Sequence, residues 1–184
     1  MNRDQALQLL KNHIKNPRTI SHCLASEAVL RSLARRLGED EEKWGLAGLL
    51  HDLDVEFTHE QPELHGHETI RILKENGIDE EILDTIIRHN EMNGSGERST
   101  KFHHALAAGE TITGLVTATA LVYPDKKVAS VKPNSVVKRM KEKAFAASVN
   151  RETIMECEKI GIPLPEFATL SIEAMTEIAD EIGL

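Results

Sequence analysis

Aromatic side chains are scarce: one Trp, one Tyr and four Phe make up 3% of the 184 residues. That excludes the stacking platforms on which single-stranded nucleic acids bind. Positive charge is also in deficit, with 22 Lys and Arg against 30 Asp and Glu and a net charge of -8. A chain of that sign does not wrap a nucleic acid polymer. It can still take a small anion, because a local cation reverses the sign inside a pocket. Cysteine is limited to Cys23 and Cys157, far apart and outside any CxxC. Two are too few for a disulfide scaffold or a Cys-based zinc finger, and a reducing compartment fits. No long hydrophobic run is present. The first residues carry charges and no apolar signal segment. The most apolar stretch, 105–122, contains Gly109, Glu110 and four threonines, too polar for a spanning helix. The expectation is a cytoplasmic protein without a membrane partner.

What is present is a core. Hydrophobic residues reach 40%, enough to exclude disorder across the chain, and the length suits one domain or one core with a tail. The periodicity is helical almost throughout. It predicts helices over 4–14, 19–37, 41–51, 62–76, 79–89 and 101–122, then shorter ones over 134–141, 151–160 and 165–182. Gly38 and Pro124 mark ends, Asp40 and Asp79 mark caps, and Pro62 marks a start. A short extended piece is expected at 127–131. The fold class is all-α, a compact multi-helix array. Residues 1–124 read as the main helical domain. Residues 125–184 read as a helical C-terminal extension docked on the same core.

Two of these segments are apolar nearly all round: Trp44 to Leu50, which runs into His51-Asp52, and Phe102 to Val122, interrupted at its centre by Glu110. Such helices are buried. A charged group on a buried helix is costly unless it is paired or binds a metal. Nine histidines sharpen the point. His22 lies one heptad before Val29, His89 three residues after Ile86, and His65 seven before Ile72, each on an apolar stripe. His22, His51, Asp52, His65, His89 and Glu110 therefore point inward. A lone histidine on an apolar face is more often a satisfied core residue. One divalent or dinuclear metal centre would satisfy all of them together. Nitrogen and oxygen donors without thiolate suit Fe, Mn, Co, Ni or Zn. His13 and His59 read as solvated, His67 faces another side, and no HExxH motif is present.

The ordered set His22, His51-Asp52, His65, His89 and Glu110 resembles the HD superfamily of metal-dependent phosphohydrolases, and HDIG-type predicted hydrolases most. The text that carries the likeness is Ala-Gly-Leu-Leu-His51-Asp52-Leu-Asp54, Pro-Glu-Leu-His65-Gly66 and Ile-Ile-Arg-His89-Asn90, within 21–122. The resemblance implies an HD-domain array. It implies a minimal metal site of His22, His51, Asp52 and Glu110, with His65 and His89 added where two metals bind and Asp52 bridges. Glu110 departs from the Asp usual in the family. Asp52 is then a catalytic residue as well as a ligand, and Asp54 or His103 could shuttle a proton. Asp54 and Asn90 look like groups that orient ligands. The implied activity is hydrolysis of a small phosphoester, nucleotides included, by metal-bound hydroxide. Arg88, Arg98 and Lys101, flanking the glycine-rich loop 93–96, with His103, are the expected substrate-binding residues. Lys138, Arg139, Lys141 and Lys143 form a second basic cluster. Phe102, Tyr123 or Phe145 could stack a base. Two rival readings stay open: a di-iron oxygenase with the same ligands, and a metal-stabilised nucleotide-binding or signalling module without turnover. A homodimer is also left open.

Overall fold

A computed structural model describes residues 1–58 and 60–184; the expectation of a solvated His59 falls outside them. Helices and turns make up the described chain, with no strand among the described residues. α1 spans Arg3–His13 and opens on a capping box, with Asn2 and Gln5 each bonding the other's backbone N–H. α2 spans Pro17–Leu37, capped by Asn16 with Pro17 in its first turn. α3 spans Glu41–Leu50, capped by Asp40, with His51 at its C-terminal cap.

The fourth expected helix is corrected. Pro62 does not open it. After the short α4 (Val55–Thr58), residues 60–66 pass through turns, and α5 spans only His67–Glu75. The helix starts late because Gly66, at φ +100, turns the chain, and Asp54 accepts the N–H groups of Gly66 and Thr69. α6 spans Glu80–Ile87, capped by Asp79. α7 spans Lys101–Leu121, capped by Thr100.

Beyond α7, the piece expected to be extended is a 3-10 turn at Val128–Ser130. α8 (Pro133–Arg139) follows, then α9 (Arg151–Ile154), which tightens into a 3-10 helix over Met155–Ile160. The last expected helix is split at Ile178 into α10 (Leu164–Glu177) and α11 (Ala179–Ile182).

α2, α3 and α7 are the structural centre. α7 buries Phe102, Leu106, Ile112, Leu115 and Val116, and packs on α2, α3, α6, α8, α9 and α10. Trp44 of α3 stacks on Phe102 of α7, ring centroids 5.0 Å apart. α2 and α3 approach so closely at Gly48 that a Cβ there would lie 2.7 Å from the Ser26 carbonyl oxygen. Residues from both ends of the chain, Leu10 and Phe167 among them, join one buried cluster. Among the described residues, no helix is long and apolar enough to cross a membrane.

Candidate metal centre

Each imidazole of the cluster is fixed by its Nδ1. His51 Nδ1 lies 2.8 Å from the Gly48 carbonyl oxygen, and His89 Nδ1 2.6 Å from that of Ile86. Both are within the turn that precedes each ring, so the local backbone sets the tautomer. His22 Nδ1 lies 3.0 Å from the Thr113 hydroxyl. That hydroxyl donates its own hydrogen to the Glu110 carbonyl at 2.6 Å, so His22 donates to it. His65 Nδ1 lies 2.7 Å from Asp54 Oδ1.

With Nδ1 acting as donor, the Nε2 of a neutral ring is a bare lone pair. The four Nε2 atoms converge on Asp52. Its Oδ1 lies 3.1 Å from His65, 3.5 Å from His51 and 3.5 Å from His89, and its Oδ2 lies 3.7 Å from His22. His22 and His51 bring their Nε2 atoms to 3.2 Å, and His65 and His89 to 2.9 Å. Two lone pairs at 3.2 Å repel unless a cation lies between or beside them. Burial holds His51 down at about 3, so it carries no extra proton to relieve the contact. His65 differs. Its burial opposes protonation, but Asp52 and Asp54 on its two nitrogens push it up to about 10. A cation among these atoms would take the place of that proton.

Among the described residues, two three-residue groups could hold a metal: His22, His51 and Asp52, and Asp52, His65 and His89. Asp52 belongs to both. Burial raises the Asp52 carboxyl, but the surrounding imidazoles bring it well below its usual range. Glu110 stands beside the first group, its Oε2 3.7 Å from His22 Nε2. Burial pushes its carboxyl up. Cys23, next to His22 in sequence, adds no thiolate, because burial and then the charges of Asp52 and Glu110 raise its thiol well above the usual value. The donors are imidazole nitrogen and carboxylate oxygen, a set that fits Fe, Mn, Co, Ni or Zn. A cleft of about 390 Å³ reaches the cluster past His22, His89, Glu110 and Ser148.

Asp54 is not at the cleft. It is fully buried, with Oδ1 on His65 and Oδ2 on the N–H groups of Gly66 and Thr69 at 2.8 and 3.1 Å. The expected proton shuttle is corrected to a positioning residue, since neither oxygen is turned toward the cluster. His65 is likewise off the helix to which its spacing assigned it, and hangs in the turns before α5.

The expected substrate-binding residues are not brought to the cluster either. Arg88 pairs with Asp84 at 3.0 Å and donates to the carbonyls of Ser95 and Glu97, shaping the glycine-rich loop. Arg98 pairs with Glu156 and Glu91 and donates to the carbonyls of Arg88 and His89. Lys101 pairs with Glu39 at the surface, 2.7 Å away. His103 is buried; its Nδ1 accepts the N–H groups of Ser99 and Thr100, and its Nε2 lies 2.9 Å from Asp84. Each charge or ring has a protein partner, and none of the four lines the cleft at the cluster.

Three residues carry weight that the sequence reading did not assign. Thr113 orients His22, and its place three residues after Glu110 was a readable signal. Asn93 donates to the carbonyls of His65 and Ile87, beside Asn90, which donates to those of Pro62 and His65. The two amides tie the His65 turn to the end of α6. Glu156, from the C-terminal part, holds Arg98 and so the segment just past α6 that carries His89. No sequence pattern signals a contact between residues this far apart.

A family model described as HD domain matches residues 19–118, a span that takes in His22, His51, Asp52, His65, His89 and Glu110. No curated protein and no solved structure matches the chain.

Proposed function

Because the chain belongs to the HD domain family, we propose that it is a metal-dependent phosphohydrolase acting on a small phosphoester. The observation that carries this reading is the convergence of four Nε2 atoms on the Asp52 carboxylate, with His22 and His51 facing each other at 3.2 Å. His22, His51 and Asp52 would hold one ion with Glu110 beside it, and Asp52, His65 and His89 a second. A bound divalent ion supplies a Lewis acid for phosphoryl oxygens and brings the pKa of a water to about 7.

The chain's own residues do the rest. Asp54 keeps the His65 ring aimed inward, and Thr113, Gly48 and Ile86 do the same for His22, His51 and His89. The walls around α3 and α7 bury His51 and Asp52, which strengthens the charge interactions at these two, while His22, His89 and Glu110 border the cleft. In the reaction, the water oxygen bonds to phosphorus as the ester P–O bond breaks; one proton of the water ends on the departing oxygen, giving the alcohol, and the other stays with the phosphate.

The test is elemental analysis of the purified protein, followed by phosphate release from a panel of phosphoesters with Mn, Co, Ni, Zn or Fe added. Bound metal and metal-dependent phosphate release are expected. No bound metal, and no release with any of the five, would overturn the reading. Oxygen consumption by the iron-loaded protein, without phosphate release, would turn it to dioxygen chemistry.

A further inference from the structure

Among the described residues, Arg18 is the one arginine whose guanidinium has no hydrogen-bond partner. Every other one is bonded to a carboxylate or a carbonyl. Arg18 is also the one that lines a cavity shared with the metal cluster. That cavity, of about 700 Å³, is bordered by Arg18, Ser21 and His22 of α2, Thr117 and Ala118 of α7, and Ser148 of the loop before α9. Arg18 and His22 are four residues apart on one helix, so they stand on the same face one turn apart. His22 and Ser148 also border the cleft beside Glu110, so groove and cluster are continuous.

The lining has a definite chemistry. The side-chain hydroxyls of Ser21, Thr117 and Ser148 make no hydrogen bond to other described residues, so all three are open to a ligand. No Trp, Tyr or Phe lines the groove. The aromatics that could have stacked a base are engaged elsewhere: Phe102 on Trp44, Tyr123 through its hydroxyl on Ser135, and Phe145 under the Arg139 guanidinium. The wall that carries Ser148 is held in place. Arg151 donates to the carbonyls of Phe145, Ala146 and Val149, and Ala146 keeps a left-handed φ of +45.

We propose that this groove takes the organic part of the substrate, that Arg18 holds an anionic oxygen of it, and that the substrate is a hydroxylated aliphatic phosphoester, a sugar or polyol phosphate. This rests on the hydrolase reading above. An unpaired guanidinium matches a phosphate or carboxylate oxygen in charge and geometry. Free hydroxyls match the hydroxyls of a polyol. A nucleobase would find no ring to stack on.

The experiment uses the manganese-loaded full chain, with sugar and polyol phosphates set against nucleoside monophosphates, and inorganic phosphate titrated calorimetrically. Sugar or polyol phosphates are expected to have the higher kcat/KM. Arg18→Ala is expected to raise KM for them, and the Kd for inorganic phosphate, by about tenfold, with metal content unchanged. Ala118→Phe fills the groove and is expected to depress turnover of these esters while phosphate affinity stays. Equal or faster turnover of nucleoside monophosphates overturns the substrate class. An unchanged phosphate Kd in Arg18→Ala overturns the role of Arg18. Phosphate binding lost in Arg18→Ala, without hydrolysis of any ester by the parent protein, would sink the hydrolase reading and keep the anion site.

Discussion

Asp54 holds His65: its Oδ1 lies 2.7 Å from His65 Nδ1, while Oδ2 accepts the N–H groups of Gly66 and Thr69. One buried carboxylate therefore orients the ring and starts α5. Asp54→Asn cannot accept as strongly from Nδ1, and the ring loses its preferred orientation. Metal affinity is expected to fall about 10–100-fold, measured by chelator competition. Unchanged affinity would show that the ring needs no such support.

Asp52 is common to both groups that could hold a metal. His51→Ala and Asp52→Ala are expected to lose bound metal and any phosphatase activity. Asp52→Ala touches both groups, and His51→Ala only one. Elemental analysis of the purified variants decides this, and full metal content in either would contradict the ligand assignment.

Glu110 sits at the edge of the first group, 3.7 Å from His22. Glu110→Asp shortens the side chain by one methylene and keeps the charge. It is expected to retain metal and phosphatase activity. Loss of both on elemental analysis and assay would mean that the longer carboxylate is needed to reach the ion.

Gly48 is where the α3 backbone rests on α2, with space for no Cβ beside the Ser26 carbonyl. Its own carbonyl holds His51. Gly48→Ala forces the two helices apart and is expected to cost about 1–3 kcal/mol of stability. Denaturant unfolding reads the loss, and a parallel metal titration reads the displaced His51. A variant as stable as the parent would mean that the helices separate freely.

Glu156 is a stability element with a defined pH sign. Burial would raise its carboxyl, but hydrogen bonds from Arg98 and His104 hold it below its ordinary 4.5. A carboxylate lowered by folding contributes stability that is present above its unfolded pKa and is lost as pH falls through the folded one. The parent protein is therefore expected to lose Tm on acidification below about pH 4.5 more steeply than Glu156→Gln. At pH 7 the variant is expected to melt lower. Parallel Tm curves for the two would remove the argument.

Much of the array was legible. The caps at Asp40 and Asp79, and the all-round apolar character of α3 and α7, mark helices whose burial follows from their composition. His51 next to Asp52, at the end of a buried helix, pointed to the cluster. The stretch 62–66 was misread because Pro62 is a permitted helix start, while the true start depends on Asp54, twelve residues before Gly66. The pairings of Arg88, Arg98 and Lys101 were not legible for a similar reason. Their carboxylate partners Asp84, Glu156 and Glu39 are chosen by packing, and for Arg98 and Lys101 those partners lie 58 and 62 residues away.

The sequence by itself determined most of the helices, which faces are apolar, and that imidazoles and carboxylates would be driven inward together, because these follow from local propensity and periodicity. Tertiary structure alone decided which cations stay unpaired. Such pairing depends on where the fold brings side chains and carbonyls, and that left Arg18 facing an open groove while the other arginines found carboxylates or carbonyls.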